Sequence, residues 1–246
     1  MTVPWKTAIV VGASSGIGAE LCKQLAAQGC KVGMVARRTE ELERLRDVIG
    51  HDNALAYPHD VTCAEEVPAL FQHICRDLGG LDLIIYAAGV MPRIAEDEYT
   101  FDKDRANIEV NVLGAISWLN EAAQRFGRGR EGTIVGISSV AGDRGRKGQP
   151  SYCASKAALN TYLESLRNRV GRHAVSVVTI KPGPVDTPMT KGLDKLPMLI
   201  SAHEAAKQII DAAARRKHTA YIPSKWRPIM FIIRGIPSFV FKKLNI

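Results

Sequence analysis

The sequence predicts an α/β fold, a single domain with a doubly wound parallel sheet of about seven strands and helices on both faces. Three observations predict it. Short runs that are apolar almost throughout, such as Thr7–Val11 and Ala174–Ile180, alternate with longer segments of helical amphipathic spacing. A strand open to water on one face alternates apolar and polar residues, whereas a run of Val and Ile without alternation is buried on both faces, as in parallel sheets. The 246 residues, 46% hydrophobic and 24% charged, suffice for one large core, and no repeat or Pro/Ser-rich linker divides them.

Along the chain, Thr7–Val11 (TAIVV) is the first strand, and residues 17–28 form a helix stopped by Gly29. Lys31–Ala36 is the second strand, and residues 39–48 form a charged helix ended by Gly50. Ala54–Tyr57 is the third strand, residues 64–78 a helix closed by Gly79-Gly80, and Leu81–Tyr86 the fourth strand. A long helix over about 103–126 precedes a Gly/Arg turn and a fifth strand, Thr133–Ile137. A second long helix covers 151–170, Ala174–Ile180 is the sixth strand, 202–215 a further helix and Thr219–Ile222 a seventh strand. Crossovers between parallel strands are expected to be right-handed.

Charge and cysteine content narrow the function. The net charge is +8, but no run of five like charges and no nucleic-acid-binding motif occurs, so nucleic acid is not an expected partner. The five cysteines are odd in number and contain no CxxC, which argues against a disulfide framework and a zinc site and favours a reducing compartment. His51, His59, His73, His173, His203 and His218 show no metal-ligand spacing, and no metal is expected. The N-terminus enters a strand almost at once and leaves no room for a signal peptide, so a cytoplasmic location, at most at the inner face of a membrane, is expected.

Between the first strand and the first helix lies Gly12-Ala-Ser-Ser-Gly16-Ile-Gly18. Glycines there let the backbone turn sharply and approach a pyrophosphate, while the helix N-terminus offers free N–H groups and partial positive charge. A strand-to-helix turn without a ligand can use the same glycines. The residues at the end of the second strand decide for a nucleotide. An acidic residue there would bond the adenosine ribose; Arg37 and Arg38 instead favour a 2′-phosphate, which a guanidinium grips in bidentate fashion. This favours NADP(H) over NAD(H), with Arg37, nearer the strand end, as the stronger candidate and Ser14 as a further donor.

Tyr152-Cys-Ala-Ser-Lys156 places a phenol and an ammonium four residues apart on one helical face. A nearby cation is expected to lower the tyrosine pKa from its usual value near 10. Ser139, at the end of the fifth strand, can hydrogen-bond a carbonyl oxygen as charge develops on it. Cys153 is one residue from Tyr152, hence about 100° away around the helix, and reads as packing.

These residues, in this order and at these spacings, resemble the short-chain dehydrogenase/reductase family, a Rossmann fold, from about residue 5 to 222. The glycine turn matches the family's TGxxxGIG (Gly12, Ser14, Ser15, Gly16, Ile17 and Gly18), with Val11 for the threonine. Asp60-Val61 matches the pair that holds adenine, Asn111 the active-site asparagine, and Ser139, Tyr152 and Lys156 the other catalytic positions. Pro182-Gly183-Pro184-Val185-Asp186-Thr187 matches the segment at the nicotinamide end. The resemblance implies hydride transfer to a carbonyl carbon, with Tyr152 protonating the oxygen and Ser139 polarising it. It further implies that Lys156 bonds the nicotinamide ribose and that Asn111 holds a water linking Lys156 to solvent. It also implies a homodimer or homotetramer.

Two departures stand out. The family's NNAG is Tyr86-Ala87-Ala88-Gly89 here, which lacks the second asparagine that braces the strands, although Ala88 and Gly89 can still approach the cofactor. The basic residue that many NADP-preferring members carry before the middle glycine is Ser15.

Residues 184–200 are expected to form a lid that lines an apolar pocket with Met91, Pro92 and Tyr152, which suggests an apolar carbonyl substrate. The chain divides into a catalytic domain, 1–224, and a tail, 225–246, that mixes aromatic and aliphatic residues with five cations. The tail is expected either to lie on a membrane surface or to pack on the protein or a second subunit. Loosely, it resembles the tails of reductases that act on lipid ketones such as ketosphingoid bases. The sequence thus suggests an NADPH-dependent carbonyl reductase of a lipophilic ketone. A dehydrogenase of a sugar, steroid or other secondary alcohol and a non-catalytic NADP(H) sensor are the alternatives.

Overall fold

The computed structural model describes residues 3–172, 174–193 and 196–244. His173, Asp194 and Lys195 of the expected lid region, and the last two residues of the tail, lie outside the described residues. Nine strands are found among those described: β1 Thr7–Val11, β2 Lys31–Ala36, β3 Ala54–Pro58, β4 Leu83–Tyr86, β5 Glu131–Ile137, β6 Ala174–Pro182, β7 Val185–Asp186, β8 Ile200–Ser201 and β9 Thr219–Ile222. The helices are α1 Gly16–Ala26, α2 Thr39–Ile49, α3 Val67–Leu78, α4 Phe101–Ile108, α5 Gly114–Gly129, α6 Pro150–Val170, α7 Ala202–Ala214, α8 Trp226–Gly235 and α9 Ser238–Phe241.

Seven strands form one sheet in the order β3-β2-β1-β4-β5-β6-β9. Every pairing is parallel, for example Val10 beside Met34 and Ile85, and Val135 beside Val178. The Val/Ile strands are buried because both faces are covered. Ala8 and Val10 pack with α1, α2 and α7 in one core, while Ile9 and Val11 pack with α3, α5 and α6 in the other. The two-residue period of β1 therefore feeds two layers at once. Strand order reverses between β1 and β4, and open α/β sheets hold their ligands at such a reversal, outside the carboxyl ends of the strands.

Several elements differ from the sequence reading. The helix expected over 103–126 is two helices, α4 and α5, joined by a π-helical turn, Glu109–Leu113. The helix expected over 64–78 begins with a 3₁₀ turn, Ala64–Glu66, before α3. The fourth strand begins at Leu83 instead of Leu81, and Asp82 just before it accepts from Lys6 N and Thr7 N at the start of β1 at 2.7 and 3.0 Å. The expected lid contains β7, which pairs with β8 in a two-stranded sheet. The tail forms α8 and α9.

Candidate active site

The carboxyl ends of β1, β2, β4, β5 and β6 open into one cleft. Except for Asp60 and Asn111, every catalytic and cofactor-binding residue named from the sequence lines it, whereas Met91 and Pro92, expected at the substrate pocket, do not. The glycine turn forms its floor. Gly12 has φ +94°, and a Cβ there would collide with the backbone of Ala87 and Ala88. A Cβ on Gly18 would overlap the carbonyl oxygen of Gly12. The turn is held from below by the amides of Gly12 and Ala13, which donate to the carbonyl of Val35 at 2.8 and 3.1 Å. Ser15 occupies the N-cap of α1, yet its side chain accepts nothing from the first amides of the helix. Those amides lie at the cleft, where an anion can accept from them.

The two arginines part company. Arg38 donates to Ser14 Oγ at 2.8 Å and to Ser15 Oγ at 2.7 Å, so its guanidinium lies against the glycine turn. Arg37 Nη1 lies 3.6 Å from the Asp60 carboxylate. The structure therefore gives Arg38, the second of the pair, the place at the turn. It also supplies from the end of β2 the cation missing at Ser15. Asp60 caps its own loop, accepting from Thr62 N at 3.0 Å and Thr62 Oγ1 at 2.9 Å. His59, just before it, lines the same end of the cleft with its Nδ1 unpartnered, a residue that the sequence reading considered only as a metal ligand.

At the other end, α6 carries Tyr152 and Lys156 one turn apart, both buried, with Lys156 Nζ 5.7 Å from the centre of the Tyr152 ring. Lys156 Nζ donates to the Ile137 carbonyl at 3.0 Å. Burial dominates both groups. It pushes the Tyr152 phenol up to about 12, against a lowering hydrogen bond from Ser139, and pulls the Lys156 ammonium down to about 8. In the folded chain, burial thus outweighs the lowering expected from a nearby ammonium. The cation is itself desolvated and faces the ring at a distance, so loss of water prevails over charge attraction in the folded chain. Ser139 Oγ accepts from the Ala141 amide at 3.1 Å and lies 3.5 Å from the Pro182 carbonyl, at the junction of β5 and β6.

Asn111 sits in the π turn. Its Oδ1 accepts from Val90 N at 2.8 Å, and its Nδ2 donates to Val90 O at 3.0 Å and Ser155 Oγ at 3.0 Å. The side chain thus fixes the strand exit after β4 to α6. Four residues earlier, Asn107 donates to Ser151 Oγ at 2.9 Å. Asn107/Asn111 and Ser151/Ser155 form two rungs of four-residue spacing between α4 and α6, a pattern visible in the sequence but not read from it.

The π turn has a cause. The Gly114 amide donates to Glu109 O, five residues back, and not to Val110 O as an α-helix requires. Val110 O instead accepts from the hydroxyl of Tyr86 at 2.6 Å. Tyr86 is fully buried, and a Cβ on Gly114 would lie 2.6 Å from that hydroxyl, so Gly114 leaves it room. Where the resembled family carries asparagine, this chain ties the end of β4 to the turn that bears Asn111. The strands themselves are joined there by Ala87 N to Val11 O at 2.7 Å.

A second support was not foreseen. Asp143, in the 3₁₀ turn Val140–Asp143 just beyond Ser139, bonds Lys181 Nζ at 2.5 Å and accepts from Tyr221 Oη at 2.6 Å. The Asp143 carboxylate is 3% exposed. This triad pins the serine turn to β6 and β9. No local spacing announces it, since its members lie 38 and 78 residues apart.

Comparison with known proteins agrees with this architecture. Residues 6–196 match the short chain dehydrogenase family. An uncharacterized oxidoreductase of Staphylococcus aureus (strain USA300) is 30% identical over 225 residues, 91% of this chain and 97% of its own. Another, from Myxococcus xanthus, is 35% identical over 206 residues, 82% of this chain and 81% of its own. Among solved structures, ElxO with NADP bound superposes with a TM-score of 0.81 at 21% identity, over 89% of this chain and 97% of its own. A short chain dehydrogenase/reductase family protein superposes at 0.80 with 26% identity, over 90% and 97%. The matched segment holds the glycine turn, the strand-end serine and the tyrosine–lysine pair, and the chain belongs to the short-chain dehydrogenase family of oxidoreductases.

Proposed function

We propose that the protein is an NADPH-dependent carbonyl reductase acting on an apolar ketone. The observation that carries this reading is a single cleft with a phosphate-sized glycine turn and Arg38 at one end and the Ser139–Tyr152–Lys156 set at the other. The residues fit a nicotinamide dinucleotide. The unoccluded first turn of α1 suits the pyrophosphate, and Arg38 with Ser14 suits a 2′-phosphate. Lys156, whose ammonium has three protons and bonds Ile137 O, has donors to offer ribose hydroxyls. The ElxO likeness, with NADP bound in that protein, supports the same cofactor. When bound, the dinucleotide supplies the hydride.

This chain's own groups handle the oxygen. Ser139 Oγ donates to the substrate carbonyl oxygen and orients it. Tyr152, held protonated by burial, gives its phenolic proton to that oxygen as charge develops on it. Lys156, positively charged below about pH 8, stabilises the phenolate left behind. Asn111 positions the loop after β4 and the helix carrying the pair. Met91 packs beside Tyr152, and Met189 lines the cleft, so the carbonyl sits against apolar walls. The catalytic unit is residues 1–224, placed in the cytoplasm as a homo-oligomer, with the tail 225–246 in contact with a membrane.

The reading is tested by following NADPH and NADH oxidation over a series of methyl ketones of rising chain length. The expected result is preference for NADPH and kcat/KM that rises with chain length. Turnover confined to small polar ketones would remove the apolar substrate, and equal use of both cofactors would remove the role of Arg38.

A further inference from the structure

The chain's charge is distributed very unevenly. Eight of its 33 basic residues and none of its 25 acidic residues lie from Arg215 onward, so the net +8 is matched by the cations of the last 32 residues alone. The same segment exposes large apolar side chains. On α8, Phe231 is 80% and Ile232 67% exposed, and on α9 Phe239 is 68% exposed. Val240 and Leu244 are exposed beside them.

The two faces of α8 differ. Trp226, Ile229, Met230 and Ile233, at helical spacing, turn inward onto Val140, Met198 and Tyr221. Trp226 lies against Gly183 in the cleft wall. Arg144, just after the serine turn, donates to the carbonyls of Ile233 and Arg234 at 3.2 and 2.9 Å and lies 4.3 Å over the ring of Phe241. The inner face is therefore fixed to the protein. The outer face carries Arg227 and Phe231 one turn apart on α8, with Lys242 and Lys243 a turn beyond Phe239. Among the described residues no carboxylate pairs with Arg227, Arg234, Lys242 or Lys243.

We propose that the outer face of α8 and α9 docks on an anionic lipid surface, with Phe231, Ile232 and Phe239 entering the interface and Arg227, Lys242 and Lys243 meeting the headgroups. This deepens the membrane contact of the tail given above by naming the lipid charge and the side chains, and it is independent of cofactor and substrate. An apolar face ringed by unpaired cations suits an interface of negative charge. A second copy of the chain suits it poorly, because a two-fold contact would set the cations of one face against those of the other. No helix among the described residues is long and apolar enough to cross a membrane, so the contact is peripheral.

The full-length protein is floated with vesicles of phosphatidylcholine alone and of phosphatidylcholine with phosphatidylserine, at low and high salt. Phe231→Ser/Phe239→Ser and Lys242→Gln/Lys243→Gln run alongside, with circular dichroism to confirm folding. None of the four residues lines the cleft. Expected is flotation with phosphatidylserine vesicles only, weakened by salt, with roughly tenfold or greater loss of binding in the phenylalanine pair and in the lysine pair. Absence of flotation, equal flotation on both vesicles, or variants that float like the parent would overturn the proposal. If the phenylalanine pair instead turns a dimer into a monomer while the parent does not float, the face is an interface between copies. NADPH turnover of a water-soluble ketone, measured on the same samples, keeps failure of docking separate from failure of the reductase reading.

Discussion

The two ends of the cleft are built differently. The phosphate end is made of backbone: Gly12, Gly16 and Gly18, the first turn of α1, and amides of the turn anchored on Val35. The carbonyl end is made of side chains supported by other side chains. Asn111 and Ser155 link α6 to the loop after β4, Tyr86 holds the π turn, and Asp143 with Lys181 and Tyr221 holds the serine turn. At Gly12 and Gly18 the turn tolerates no added volume, because the neighbours are main-chain atoms that cannot rotate away. A site of linked side chains loses its members one hydrogen bond at a time. Added bulk should disable the first, whereas the loss at the second should depend on the charge and burial of the group removed.

Substitutions at each end sharpen that contrast. The largest effect is expected for Asp143→Ala, which leaves the nearly buried Lys181 ammonium without its carboxylate and should cost about 3 kcal/mol of stability. Urea denaturation measures it, and a loss below about 1 kcal/mol would mean that apolar packing around Val140 holds the turn unaided. Gly18→Ala forces a methyl group into the Gly12 carbonyl and should cost about 2 kcal/mol. Calorimetric binding should show NADPH affinity down roughly tenfold or more, and undiminished affinity would show that the turn can yield. The smallest effect belongs to Tyr86→Phe. Removing the donor to Val110 O should cost about 1 kcal/mol and lower kcat severalfold while NADPH affinity is kept. If kcat and stability were both unchanged, the π turn would be held by packing.

The same contrast explains what the sequence revealed. β1 and β2 occupy the residues their apolar runs predict, because a strand buried on both faces writes its burial into nearly every position. The glycine turn was legible because it is contiguous. The π turn was not, since the residues Glu109–Leu113 contain no helix breaker and the partner that favours the turn, the Tyr86 hydroxyl, is 24 residues away from Val110. β7 and β8 are too short to carry a period. Arg37 and Arg38 were recognised as a pair, but their division between Asp60 and the turn serines depends on the exit angle from β2, which no residue count provides. The tail's apolar and basic character was plain in its composition, whereas the division of α8 into a fixed face and a free one rests on Arg144 and Trp226, which join it to distant turns.

The central claim is that Tyr152 supplies the proton and that Lys156 supports it from a buried position. It is tested most directly by the pH dependence of ketone reduction in the parent protein, with Tyr152→Phe run in parallel. Burial lowers the Lys156 pKa to about 8, so its charge is present below that pH and lost above it, while Tyr152 stays protonated until about pH 12. Reductive kcat/KM in the parent should therefore hold level at lower pH and fall as the pH rises through about 8. Tyr152→Phe should bind NADPH with unchanged affinity and turn over at least about a hundredfold more slowly. A phenylalanine variant that retains most of its activity, or a parent rate that climbs through pH 8, would contradict the account.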